Sequence, residues 1–238
     1  MRIAIISGAT EDYYNKLIIL YKSLRQFHKN IYFIAYNIGD KRCDVKKNTY
    51  FKKLNKNKID PFLIYHKDVI YFENEEHKRA YSSNIRIKYL LDNYNNFDAV
   101  FWMDADSIII KPLNEFFDKL NIYNVFVHNK YQKFPERDIT KYLSGIIGFK
   151  KSNESIFILT KWYNHLFKLK NIEWLWGMDQ KYLKIFLTIA LKDFKNNFHY
   201  NFPYTYISWL KLKKAHIIVG KGSKKFSKNY LKYEKIFK

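Results

Sequence analysis

The chain's 238 residues suit one α/β domain, and with 47% apolar and 19% aromatic residues a sizeable core is available, which excludes wholesale disorder. Lysine and arginine number 43 against 22 acids, a formal net charge of +21, yet only six of the basic residues are arginine. A nucleic-acid reader more often uses arginine's planar fork, so no specific nucleic acid is expected, while an anionic membrane surface remains permitted.

The opening MRIAIISGATED has an apolar stretch too short for a signal peptide, and no run nears the ~18–20 apolar residues that span a bilayer. Ile3–Ser7 reads as a buried first strand entering a Ser-Gly-Ala-Thr loop, whose small Gly8, Ala9 and Thr10 would let a nucleotide approach the backbone. Asp12–His28 follows as an amphipathic helix with Leu17, Leu20, Tyr21, Leu24 and Phe27 at helical spacing. Ile31–Tyr36 is a second strand, and Lys41–Lys58 a solvated helix or loop rich in Lys and Asn. The single cysteine, Cys43, cannot form an internal disulfide, so the expected location is cytoplasmic, with peripheral contact at a membrane allowed. One long helix is predicted over Glu75–Tyr94.

A continuously apolar strand, Ala99–Met103, then runs into Asp104 and Asp106, and a second short strand follows. Strand, helix and strand in alternation imply a parallel-type sheet covered by helices, where ligands bind beyond the carboxyl ends of the strands. In extended backbone, residues two apart point the same way, so both carboxylates can reach one point. Two hard oxygen donors suit Mg²⁺ or Mn²⁺, with substrate phosphates completing the shell. Thirteen aspartates make one Asp-x-Asp unsurprising by chance. Its place at the end of an apolar strand, where an idle carboxylate pair is costly, gives the tripeptide its weight.

The run FDAVFWMDADSIIIKPL resembles the Asp-x-Asp region of nucleotide-sugar-dependent glycosyltransferases with the GT-A fold. Further segments are similar, in order, to glycosyltransferase family 8, the family of glycogenin and of bacterial lipopolysaccharide galactosyl- and glucosyltransferases. IAIISGATEDYYNKLIILYKSL resembles its first strand, nucleotide-contacting loop and first helix, which places Ser7, Ala9 and Thr10 at the donor. RAYSSNIRIKYLL resembles the helix whose basic residue, here Arg86, reaches the donor. LSGIIGFK is similar to the strand lining the donor sugar, with Ser144 and Gly145, and WGMDQKYL to the segment at the reacting sugar, with Asp179 and Gln180. AHIIVGKGSKK looks like the late His, Gly and Lys segment, which implies His216 as third metal ligand and Lys224 or Lys225 as a phosphate contact. Two departures stand out: Leu143 precedes Ser144-Gly145 where the family has Asn, and His216 to Gly220 is one residue longer than the usual spacing.

The resemblance implies an α/β chain of GT-A (Rossmann-like) fold, with a mixed, mostly parallel sheet flanked by helices. It would form a single domain over residues 1–225, with a basic aromatic helical tail at 226–238. It further implies transfer of a sugar from a nucleotide-diphosphate sugar, most simply a UDP-sugar, to a glycan or glycolipid hydroxyl, with Mn²⁺ or Mg²⁺ and retention of configuration. Should the enzyme invert instead, Asp179 is the candidate base. A sugar-phosphate nucleotidyltransferase would carry Gly-x-Gly-Thr-Arg after the first strand, where this chain has Ser7-Gly8-Ala9-Thr10-Glu11. Trp174 and Trp176 just before Asp179 suit a sugar face. In the tail, Phe226, Tyr230, Tyr233 and Phe237 form a stripe that either packs inward or docks on an anionic leaflet.

Overall fold

A computed structural model describes residues 1–40, 60–129, 142–194, 198–203, 206–208, 215–220 and 228–238. The stretch 41–58 with Cys43, and Phe226, Lys224 and Lys225, lie outside the described residues.

Seven strands form the main sheet: β1 (Ile3–Ala9), β2 (Tyr32–Asp40), β3 (Leu63–Ile70), β4 (Ala99–Met103), β6 (Val125–Asn129), β7 (Tyr142–Lys150) and β8 (His199–Asn201). Their spatial order is β3-β2-β1-β4-β7-β6-β8. The pairs β1–β2, β1–β4, β2–β3 and β6–β8 are parallel, and β7 runs antiparallel to both β4 and β6. The sheet is therefore mixed and mostly parallel, as expected.

Helices cover both faces, which is why β1 and β4 read as unbroken apolar runs. Alternate residues divide between two cores. Ala4, Ile6, Ile34, Val100 and Trp102 pack under α2 (Glu75–Asn84), α3 (Arg86–Tyr94), α5 (Asn153–Leu166) and α6 (Met178–Asp193). Ile3, Ile5, Phe33, Phe101 and Met103 pack against α1 (Tyr14–Phe27) and the short α4 (Asn114–Asp118). Each large side chain buried this way is worth about 1.5–3 kcal/mol.

The predicted helix over 75–94 is two helices meeting at Ile85. Asn74 caps the first, its side chain accepting the His77 N–H at 2.8 Å. Near its end, Ser82, Ser83 and Asn84 turn back onto the carbonyls of Lys78 and Ala80, and Arg86 Nε takes the Ser83 carbonyl at 2.5 Å. Such local bonds compete with the backbone ladder and bend helices. At Ile85 ψ opens to −19°, and the Lys88 N–H closes on the Ile85 carbonyl three residues back.

A smaller sheet holds β5 (Ser107–Ile109), β10 (Ile217–Val219) and β9 (Ile207–Ser208), in the order β5-β10-β9. Ile108 and Ile218 from it, Ile19 from α1 and Tyr230 from α7 (Lys228–Phe237) make a third cluster, with Tyr233 and Phe237 packed beside it. Of the two readings of the tail's stripe, Tyr230, Tyr233 and Phe237 follow inward packing, which removes apolar ring surface from water against Ile19, Ile108 and Ile218. Among the described residues no helix is long and apolar enough to cross a membrane.

Candidate functional site

A cleft of about 450 Å³ opens at the carboxyl ends of β1 and β4. Gly8, Ala9 and Thr10 form its floor, Asp104, Ala105 and Asp106 one wall, and Lys78, Arg79, Ser82, Ser83 and Arg86 of α2 and α3 the other. Ala9, Thr10, Arg86, Asp104 and Asp106 therefore meet in one place, although they are spread over nearly a hundred residues of chain.

The Asp104 side chain is held on two sides. Its Oδ1 accepts the Trp102 indole N–H at 2.7 Å and lies 3.1 Å from Arg86 Nη1. The Arg86 guanidinium also sits 5.3 Å from the centre of the Trp102 ring. A Cβ on residue 145 would come within 2.6 Å of Asp104 Oδ2, so only glycine lets the carboxylate lie against β7. Gly145 thus acts first by making room for Asp104. The neighbouring Ser144 lies in β7, and its side chain is outside the described residues.

Asp106 is fixed through its backbone. Asp104 and Ser107 close a turn (Ser107 N–H to the Asp104 carbonyl, 2.9 Å), and the Asp106 carbonyl accepts the Gly220 N–H at 2.9 Å. Both aspartates face the cleft, so the donor set fits a divalent cation that takes its remaining ligands from substrate phosphates and water.

His216 does not join them. β10 runs antiparallel to β5 with Val219 opposite Ser107 and Ile217 opposite Ile109, so the strand brings Gly220, not His216, beside Asp106. His216 falls opposite Ile110, four residues along the strand pair, or about 13 Å at the usual rise per residue. Its Nδ1 pairs with the Pro112 carbonyl at 2.7 Å, and its ring stacks on Tyr206 at 4.1 Å. Among the described residues no group of three or more His, Cys, Asp and Glu could hold a metal ion. Register sets His216 apart from Asp106, which the sequence spacing alone could not reveal.

Asp179 stands behind Arg86. It is fully buried in the first turn of α6, where the helix dipole favours an acid, and its Oδ2 lies 3.4 Å from Arg86 Nε. Gly177 supplies the left-handed turn (φ 87°) that starts this helix. Asn84 locks the arrangement: its Oδ1 accepts the Asp179 N–H at 2.9 Å, while its Nδ2 donates to the carbonyls of Ala80 and Leu175. One guanidinium therefore faces two carboxylates, Asp104 in the cleft and Asp179 beneath it. Neither Asp179 nor the half-buried Gln180 is among the residues lining the cleft. Ser7 is likewise fully buried in β1, one residue short of the floor.

At the mouth, Trp176 is 52% exposed with the Arg79 guanidinium 4.4 Å from its ring centre. Lys78 bonds Asp12 at 2.6 Å. Burial works against its charge, but Asp12 and Glu75 prevail and hold the ammonium above its ordinary pKa. Sequence reasoning missed Trp102, Asn84, Lys78 and Arg79 as parts of the site. Lys78 and Arg79 carried a readable signal, eight and seven residues before Arg86 in a helical pattern. Trp102 did not, since an indole in an apolar strand reads as core.

No protein-family model matches the chain, and no curated protein matches it in sequence. Solved structures do. The glycosyltransferase GlyE of Streptococcus pneumoniae superposes with a TM-score of 0.64 at 11% identity, over 98% of this chain and 60% of GlyE. The galactosyltransferase LgtC, in complex with donor and acceptor sugar analogues, matches with a TM-score of 0.57 at 11% identity, over 98% of this chain and 95% of LgtC. Mouse xyloside xylosyltransferase 1 matches with a TM-score of 0.52 at 10% identity, over 94% of this chain and 99% of that protein. The chain spans about three fifths of GlyE and nearly the whole of the other two. The likeness shows the fold: the chain has the GT-A architecture of these glycosyltransferases.

Proposed function

We propose that the protein transfers a sugar from a nucleotide-diphosphate sugar, most simply a UDP-sugar, to a hydroxyl of a glycan or glycolipid. The observation that carries this reading is the convergence of the Gly8-Ala9-Thr10 floor, the Asp104–Asp106 pair and Arg86 in one cleft at the strand ends. A nucleotide fits where small residues expose backbone, and its diphosphate would lie between the aspartates and the cations of α2 and α3. Asp104 and Asp106 would hold Mn²⁺ or Mg²⁺, which as a Lewis acid neutralises charge on a departing nucleotide diphosphate.

Arg86 adds a fixed positive charge that needs no reorganisation as the leaving group departs, because Asp179, Asp104 and the Ser83 carbonyl already hold it. Lys224 would add a phosphate contact. Burial takes Asp179 out of reach of an acceptor hydroxyl and gives it the part of holding Arg86, with Gln180 beside it toward the sugar. The exposed face of Trp176 offers an acceptor sugar an apolar platform at the mouth. Retention of configuration is the outcome carried by the family resemblance.

The test is a panel of nucleotide sugars with and without Mn²⁺, read by thermal shift and by slow donor hydrolysis. A donor at a hundred times its Kd should stabilise the fold by about 2.7 kcal/mol, and Asp106→Asn should abolish the metal-dependent part. Silence with every donor, or full activity in Asp106→Asn, would overturn the proposal.

A further inference from the structure

The C-terminal helix reaches the cleft wall through Tyr230. Tyr230 of α7 is 1% exposed, and its O–H lies 3.1 Å from the Asp106 carbonyl, the same oxygen that accepts the Gly220 N–H. The direction of the phenol proton follows from its other neighbour. Lys16 Nζ sits 3.4 Å from the Tyr230 oxygen, and an ammonium can only donate, so the oxygen accepts from Lys16 and the hydroxyl proton is left for Asp106. Lys16 is itself placed by Glu234, one turn further along α7, at 3.1 Å.

From this geometry we infer that Tyr230 is a positioning residue for the cleft: docked with α7, it fixes the Asp106 peptide and with it the turn that presents both aspartates. Among the described residues, backbone restraints on the turn also come from within the sheets, namely Gly145 to Asp104, Asp104 to Ser107 and Gly220 to Asp106. Tyr230 adds a restraint from the far end of the chain, and it acts through the backbone, touching no substrate. The peptide joining Asp106 to Ser107 has two donors on its oxygen. Losing one lets that peptide rock, which moves the Asp106 Cα–Cβ vector toward or away from the Asp104 carboxylate. The consequence for ligand binding rests on the donor-site reading above; the restraint on the turn does not.

Tyr230→Phe in the full chain tests this, since it keeps the ring among Ile19, Ile108 and Ile218 and removes only the hydroxyl. Tyr233→Phe, in the same cluster, is the control. Hydrogen exchange on the ligand-free protein should show the Ser107 and Gly220 amides exchanging about three- to tenfold faster in Tyr230→Phe, the size of one neutral hydrogen bond, with strands β1 and β4 unchanged. Calorimetry with UDP and Mn²⁺ should show affinity weakened by a similar factor in Tyr230→Phe and unchanged in Tyr233→Phe. Unchanged exchange at Ser107 and Gly220, or a uniform rise across the chain matching the control, overturns the inference. A wild-type protein that binds no UDP overturns the donor reading instead, and the exchange experiment still decides the role of Tyr230.

Discussion

Asp104 and Asp106 stand two residues apart, yet different physics holds each. Asp104 is gripped by its carboxylate, through the Trp102 indole and the Arg86 cation, with Gly145 clearing space behind it. The flank of Asp106 is held by neutral groups acting on backbone: Gly220 and Tyr230 on its own carbonyl, Ser23 Oγ on the Ile109 N–H, and His28 Nε2 on the Leu113 N–H. A charged grip sets direction strongly but depends on every ion being compensated. A neutral clamp is weaker per bond and spreads over many. A pair built this way has one member of fixed orientation and one tied to the packing of α1 and α7.

Breaking the charged flank should have the largest effect. Arg86→Ala removes the cation facing both Asp104 and the buried Asp179, and should cost about 3–5 kcal/mol in urea unfolding, with part regained in Arg86→Ala/Asp179→Asn. Gly145→Ala forces a methyl onto Asp104 Oδ2; a loss of about 1–3 kcal/mol and weaker metal-dependent donor binding should follow, seen by thermal shift.

The neutral flank should instead answer to pH. Burial holds the His28 pKa below its ordinary value of 6.5, so the neutral ring that accepts from Leu113 is the favoured folded form. Its contribution is then complete above pH 6.5 and is lost as the pH falls through the folded-state value. Burial also lowers the pKa of His66 and His199, so His28→Gln should flatten only part of the acid limb of a stability–pH curve. The smallest effect is expected from Lys16→Met. Its part-buried ion pair with Glu234, whose carboxylate also has Lys238 at 3.5 Å, should be worth about 1 kcal/mol in chemical denaturation.

The alternation of strand and helix, the apolar β4 and the two aspartates at its end were readable because each is a local pattern with one physical meaning. Arg86 and Gly145 were readable only through family likeness; their reasons, a shared guanidinium and room for a carboxylate, are three-dimensional. The separation of His216 from Asp106 has the same root. Whether a histidine reaches a metal depends on which residue of β10 faces Asp106, and strand register is set by pairing, to which sequence spacing is blind. The break at Ile85 was hidden by a continuous helical pattern, since side-chain bonds from Ser82, Ser83 and Asn84 decide it. Tyr230 looked like one ring in an amphipathic stripe, and nothing local separates a packing tyrosine from one whose hydroxyl meets a turn.

Arg25 has a consequence of another kind. Its guanidinium binds the carbonyls of His28, Ile31 and Phe62 and pairs with Asp60, while β2 and β3 run in parallel register to Asp40 and Ile70. Arg25 thereby pins the entry to β3 at the amino edge of the sheet, opposite the edge where the cleft opens, whereas Asp40 ends β2 on the cleft's own edge. The start of β3 is anchored whatever length of chain leads into it, and a longer lead-in would add loop-closure entropy of about 0.6 kcal/mol for each doubling.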